Sequence, residues 1–175
     1  MFAALSNLVP NPLHPAVVHL PIALTVLVPA FAVGALVAIR RGALPVRAWG
    51  ITTALLATLS LSAWVSLETG ADQEDRVERV VTEQAIHSHE EAAEAFLALS
   101  LLVLVIAGAG LLNGRIGTGA RLAATVGTLA LIVAGYRVGH SGGALVYQHG
   151  AASAYTSSAS IPLTGERSAG GDHER

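Results

Sequence analysis

The chain has 175 residues, of which 53% are hydrophobic and only 13% are charged, and its formal net charge is −2. A soluble domain carries about 25% charged residues, so this composition indicates a membrane protein, and the length indicates one domain. The slightly negative charge excludes the basic footprint that a nucleic-acid-binding protein needs.

Four stretches contain no charged residue at all: 16–39, 48–67, 95–112 and 122–136. Each approaches the ~20 residues that a helix needs to cross the hydrocarbon core, and a helix satisfies every backbone polar group within one segment. We therefore predict an all-α, four-helix transmembrane bundle within residues 1–150, with spans at about 16–39, 48–67, 92–112 and 120–139. The first 39 residues lack Lys and Arg, so we expect no cleavable signal peptide.

Two segments lie outside these spans. Residues 72–86 combine valines with opposite charges four residues apart, such as Asp75 and Arg79. This pattern predicts a short amphipathic helix on the outer surface before the third span. Residues 151–175 repeat Ala, Ser and Gly, which predicts a disordered tail.

The charges of the loops predict an orientation. Loops 40–47 and 113–121 carry arginines and no acid, whereas all twelve Asp and Glu residues lie in the other polar stretches. The positive-inside rule places both arginine loops in the cytoplasm. We therefore expect a multi-pass protein of the cell (inner) membrane, in contact with the lipid bilayer, with both termini outside the cytoplasm.

Most histidines lie near one end of the predicted spans: His14 and His19 at the first, His87 and His89 before the third, His140 after the fourth, and His149 nine residues later. Because cysteine is absent and Met1 is the only methionine, a metal or haem must be held mainly by histidine. On a helix His87 shares a face with Glu91 and points nearly opposite to His89, so one imidazole can face the bundle and the other water.

The first interpretation is a b-type cytochrome-like electron-transfer protein, with haem b held by paired histidines of different helices. A neutral imidazole binds iron through one nitrogen and donates from the other, here to Glu90 or Glu91. Two axial histidines leave no open iron position, so electron transfer is expected rather than oxygen chemistry. The candidate haem-binding residues are His14, His19, His89, His140 and His149, with Arg137 as a propionate partner. Among them we favour His19, His89 and His140.

Two alternatives remain open. Imidazole also suits zinc and copper, and a Zn or Cu site would use His19, His89, His140, His87 and Glu91. The chain could also be a non-catalytic membrane partner whose histidines only shape helix ends. A transporter is disfavoured because the spans carry no ionisable residue near the membrane midplane. No nucleophile motif, phosphate loop or pair of catalytic acids is found, which favours a redox subunit over an enzyme acting alone.

Proline and glycine add two local expectations. Pro21 removes the N–H that the Val17 carbonyl would accept, so the start of the first span should be loosened or kinked. Gly135, Gly139 and Gly143 form a small-residue stripe at a spacing of four, which predicts close helix approach.

The two ends of the apolar region carry motifs, His14-Pro15…His19-x-Pro21 and Gly139-His140-x-Gly142-Gly143…Val146-Tyr147-x-His149-Gly150. Together they resemble the family called domain of unknown function 2231, small bacterial four-helix membrane proteins, over about residues 11–150. Members of that family are sometimes joined to Rieske iron–sulfur or cytochrome domains, and the resemblance therefore implies a redox setting. We expect the redox partner here to be a separate chain, such as a Rieske or cytochrome subunit.

Overall fold

The structure, a computed structural model, describes residues 12–156. Its helices are α1 (His14–Val17), α2 (His19–Arg40), α3 (Pro45–Ala71), α4 (Glu74–Val77), α5 (Glu83–Ala109), α6 (Gly114–Tyr147) and α7 (Ser153–Thr156). There is no strand among the described residues. The predicted all-α fold is confirmed.

Four helical stretches are long and apolar enough to cross a membrane: His14–Arg40, α3, α5 and α6. The first three have 27 residues each, which corresponds to a rise of about 40 Å against a hydrocarbon core of about 30 Å. The prediction of four helices long and apolar enough to span a membrane is confirmed. The observed helices extend past the uncharged stretches because a helix continues through the headgroup region, where charged side chains reach water.

The four long helices form a closed square. Helix α2 packs against α3 and α6, and α5 packs against the same two helices. Consequently α2 lies diagonally opposite α5, and α3 diagonally opposite α6. The bundle interior is filled by fully buried side chains from every side: Val28, Trp49, Leu56, Leu59, Val103 and Leu131.

Large apolar side chains also cover the outside of the bundle. Val105 and Val126, on adjacent helices, are 71% and 67% exposed. Buried hydroxyls lie inside instead, among them Thr52, Ser100 and Thr128. An apolar exterior around small and polar interior positions is the arrangement expected of helices packed within lipid.

Glycines on the inner face of α6 bring the helices close together. A Cβ at Gly127 would lie 2.7 Å from the Val103 side chain, and one at Gly135 would lie 3.1 Å from Thr25. The predicted stripe is therefore right at Gly135, but a Cβ at Gly139 or Gly143 would meet nothing within 4 Å. Because a helix has 3.6 residues per turn, residues spaced by four rotate gradually around the helix axis, and the later glycines of the stripe therefore no longer lie on the inner face.

The segment between α3 and α5 differs from its prediction. The short helix predicted before the third span is present but covers only the four residues of α4, while residues 83–86 already belong to α5. The pair Asp75 and Arg79 is not among the ion pairs of residues 12–156. Val81 is instead buried with Ile86 and with Ala151 from the C-terminal segment. This apolar contact holds the segment against the bundle.

The C-terminal segment is ordered further than the sequence predicted. The Arg76 guanidinium lies 5.3 Å from the centre of the Tyr155 ring, and the Tyr155 hydroxyl donates to Gln73 Oε1 at 3.3 Å. Residues 151–156 thus belong to the folded region. The rest of the predicted disordered tail lies outside the described residues.

Candidate histidine site

His14 begins α1 and is half-buried against α3. Its Nδ1 lies 2.8 Å from the Ser66 carbonyl oxygen, and the Thr69 hydroxyl is 3.4 Å away. Helix α1 ends at Val17 and α2 begins at His19, so the predicted loosening is confirmed. Because Pro21 has no N–H for the Val17 carbonyl, the chain departs from regular helix at Val18, between α1 and α2.

Gly70 of α3 makes room for the His14 imidazole. A Cβ at Gly70 would lie 3.2 Å from His14 Cε1 and 3.3 Å from its Nδ1. These distances are shorter than the normal packing separation of carbon atoms, about 3.5–4.0 Å. The missing side chain therefore lets the ring lie directly on the helix.

His89 of α5 is half-buried against α6 in the same way. Its Nδ1 lies 2.9 Å from the Ser141 hydroxyl oxygen, and that hydroxyl lies 3.0 Å from the Val138 carbonyl. A Cβ at Gly142 would lie 3.0 Å from His89 Cε1. Each inward histidine therefore combines a hydrogen-bond partner on a neighbouring helix with a glycine that admits its ring.

The two imidazoles lie at the same end of the bundle, in opposite corners of the square. His14 precedes α2 and is anchored on α3, whereas His89 belongs to α5 and is anchored on α6. Residues of all four long helices thus surround this end of the bundle, and we call the two imidazoles the histidine pair (His14 and His89).

The hydrogen bonds assign a tautomer to both rings. The Ser66 carbonyl only accepts, so His14 donates from Nδ1. The Ser141 hydroxyl donates its proton to Val138, so its oxygen accepts from His89 Nδ1. In a neutral imidazole the other nitrogen, Nε2, then carries a lone pair. Nε2 of His14 has no hydrogen-bond partner among residues 12–156, and the His89 ring also lies within reach of the Val138 carbonyl.

The predicted division between the two histidines of α5 is confirmed. His87 is 68% exposed and its Nε2 lies 3.3 Å from the Glu91 carboxylate, itself 67% exposed. The expectation that Glu90 or Glu91 would orient the ligands is wrong for the histidine pair, because the Nδ1 atoms are held by Ser66 and Ser141. A carbonyl and a hydroxyl serve in place of carboxylates, which avoids moving a charge into the bundle.

Other predicted site residues lie on the surface. His19 and His149 are exposed, as is Arg137. His140 is exposed too and stacks on Tyr136, with ring centroids 5.9 Å apart and planes inclined by 17°. Of the three favoured ligands His19, His89 and His140, only His89 faces the interior. Position along a span gives the depth of a side chain in the membrane, but not its direction around the helix.

The predicted metal-ligand set is also dispersed. Within residues 12–156 no group of three or more His, Cys, Asp or Glu could hold a metal ion. The five residues His19, His89, His140, His87 and Glu91 therefore do not assemble around one centre in this chain.

Sequence reasoning missed the anchors Ser66 and Ser141 and the role of Gly70. The sequence did contain one indication of the His89 anchor, because Ser141 and Gly142 directly follow His140 in the second motif.

The chain was compared with known proteins. No curated protein and no solved structure matches it. Residues 10–154, which include both terminal motifs and all four spans, match the family described as "Predicted membrane protein (DUF2231)". Since this match covers most of the sequence, the chain belongs to that family of predicted membrane proteins.

Proposed function

We propose that this protein is a membrane electron-transfer protein that holds haem b through His14 and His89. The observation that supports the proposal is the histidine pair itself, two half-buried imidazoles at one end of the bundle whose Nδ1 atoms are held by Ser66 and Ser141. Cofactor sites of four-helix bundles are built in this manner, from side chains that project inward from facing helices.

The donor chemistry suits haem iron. A histidine that binds a metal through one nitrogen nearly always donates the other N–H to a carbonyl, carboxylate or water, which fixes the ring and raises its basicity. His14 meets this requirement through Ser66, and His89 meets it through Ser141. Bound haem would supply one-electron oxidation and reduction. Two axial histidines would leave no site for oxygen, so electron transfer is the expected role.

The surroundings fit the same role. We place the histidine end of the bundle on the outer face of the inner membrane, where a separate redox chain, such as a Rieske or cytochrome subunit, would reach it. The implied redox setting of the family favours such a partner. The exposed groups near that end, including His87 and Glu91, would then lie on the docking side rather than among the ligands.

The experiment is a spectrum of the protein purified in mild detergent. Dithionite-reduced minus oxidised absorption should show the bands of a bis-histidine b-type haem. His14→Ala and His89→Ala should each lower the bound haem at least tenfold, because even the loss of a partner that only orients a ligand costs about 10–100-fold in metal affinity. His87→Ala and His149→Ala are the controls and should keep full haem content.

Three results would contradict the proposal. The first is a colourless protein with stoichiometric zinc or copper, which would support the metal-binding alternative. The second is a protein with neither haem nor metal, which would support a non-catalytic partner. The third is haem loss in His19→Ala and His140→Ala but not in His14→Ala, which would restore the ligands favoured from the sequence. Size-exclusion chromatography and circular dichroism of each variant exclude misfolding as the cause.

A further inference from the structure

At the end of the bundle opposite the histidine pair, the groove beside the start of α6 combines basic and apolar side chains. It has a volume of about 590 Å³ and lies where the end of α2, the start of α3 and the start of α6 meet. Its lining includes Ile39, Pro45, Leu122, Arg115, Thr118 and Arg121. We call this feature the arginine groove.

Arg121 is a buried cation without a carboxylate partner. Its side chain is only 4% exposed, and Nε and Nη2 donate to the carbonyls of Gly110 and Leu112 at 2.7 and 2.8 Å. No Asp or Glu lies within ion-pair distance of it in the part of the chain that the structure describes. A buried charge is costly unless it is compensated, and carbonyl dipoles compensate this one only in part.

The surroundings of the groove increase the positive potential. Exposed Arg40 and Arg41 lie at the end of α2 and in the turn that follows it. Helix α6 begins beside the groove, with no acidic residue in its first turn and no side-chain cap, so its N-terminal N–H groups add partial positive charge. The nearest acids on α3 and α5 are Glu68 and Glu94, which lie at least 20 Å away along their helices.

We propose that the arginine groove binds the headgroup of an anionic phospholipid. Arg115 contacts the phosphate directly, Arg121 contributes buried positive charge from the groove wall, and an acyl chain lies along Ile39 and Leu122. A free anion would use the arginines but not the apolar wall, whereas a lipid uses both. Basic pockets between transmembrane helices on the cytoplasmic side are suited to such headgroups.

Native mass spectrometry of the whole detergent-solubilised protein tests this proposal by counting bound lipids. Phosphatidylglycerol should bind at one site with higher affinity than phosphatidylcholine of the same acyl chains. Arg115→Ala should raise the Kd for phosphatidylglycerol about tenfold, which corresponds to the loss of one charge-assisted hydrogen bond. Arg115 is exposed and makes no hydrogen bond within the described chain, so this variant should fold normally.

Two control variants separate the groove from general surface charge. Arg47→Ala removes a positive charge from the same end without altering the groove lining, and Arg137→Ala removes one from the opposite end. Both should change the Kd less than twofold. Equal effects of Arg47→Ala and Arg115→Ala would overturn the proposal, as would equal affinity for the two lipids. Displacement of the lipid by millimolar inorganic phosphate would show that the groove recognises a free anion, and would overturn it as well.

Discussion

His89 and Gly142 are in such close contact that a single methyl group should decide whether the imidazole keeps its place. A Cβ at Gly142 would lie 3.0 Å from His89 Cε1. We expect Gly142→Ala to displace the ring, lengthen its bond to Ser141 and lower haem content towards that of His89→Ala. Haem absorbance per mole of purified protein measures the effect.

The neighbouring glycine is the matched control for this substitution. A Cβ at Gly143 would meet nothing within 4 Å, so Gly143→Ala should leave haem content unchanged. Both substitutions replace a helical glycine and gain about 0.5–1 kcal/mol in backbone propensity. The difference between them therefore isolates the contact with His89. Equal haem content in the two variants would show that Gly142 does not position the ligand.

For individual residues, the sequence predicted how side chains on one helix are oriented relative to each other, but it did not predict contacts between helices. The opposite directions of His87 and His89 follow from 100° per residue and needed no tertiary information. The sequence did not show in the same way whether His14 or His19 faces the bundle. The sequence predicted the interruption after Val17 from Pro21, but the rotation of α2 against α3 is set by packing, and the glycine that admits His14 is 56 residues away in sequence.

At the scale of elements, the end of α5 opposite the histidine pair is held by side chains from two other helices. Arg121 of α6 donates to the carbonyls of Gly110 and Leu112. The Trp49 indole of α3 donates to the Ala107 carbonyl at 2.9 Å. The last carbonyls of a helix lack the usual partner within it, so these donors supply additional hydrogen bonds at the end of α5, including one to the carbonyl of buried Gly110.

Removal of the Arg121 guanidinium should therefore destabilise the whole bundle. We expect Arg121→Ala to lower the free energy of unfolding by about 2 kcal/mol or more, since it removes two hydrogen bonds from a charged donor and leaves carbonyls unsatisfied. Denaturant unfolding in detergent without added lipid measures this loss. Arg115→Ala, in the first turn of the same helix, should cost less than about 0.5 kcal/mol, the range of ordinary surface substitutions. A similar loss in both variants would argue against the capping role.

The sequence predicted the long helices well and the short ones poorly, for a physical reason. Twenty uncharged residues within lipid leave a helix as the only option. The segment after α3 has no such constraint, and a short helix in water is marginal without packing. Val77 and Val81 pack with Ala151 of the C-terminal segment, and this long-range contact replaces the regular amphipathic helix that the i,i+4 charges suggested.

For the whole molecule, the unequal distribution of charge between the two ends makes orientation testable. The loops after α2 and α5 contain arginines and no acid, whereas every acidic residue of the described chain lies between Glu68 and Glu94, at the other end of the bundle. From the positive-inside rule we expect the arginine groove in the cytoplasmic leaflet and the histidine pair near the outer face. The two sites lie at opposite ends of the same four helices. One orientation therefore decides both which leaflet supplies the phospholipid and which compartment supplies the redox partner.

Because the chain contains no cysteine, single cysteines report this orientation without background. Ala43, after α2, and Ala152, beyond α6, are both exposed alanines at opposite ends of the bundle. In intact spheroplasts a membrane-impermeant maleimide should label Ala152→Cys, and it should label Ala43→Cys only after permeabilisation. The reverse pattern would invert the topology and place the histidine pair at the cytoplasmic face. Labelling of both sites in intact spheroplasts would instead mean that the four helices do not all cross the membrane.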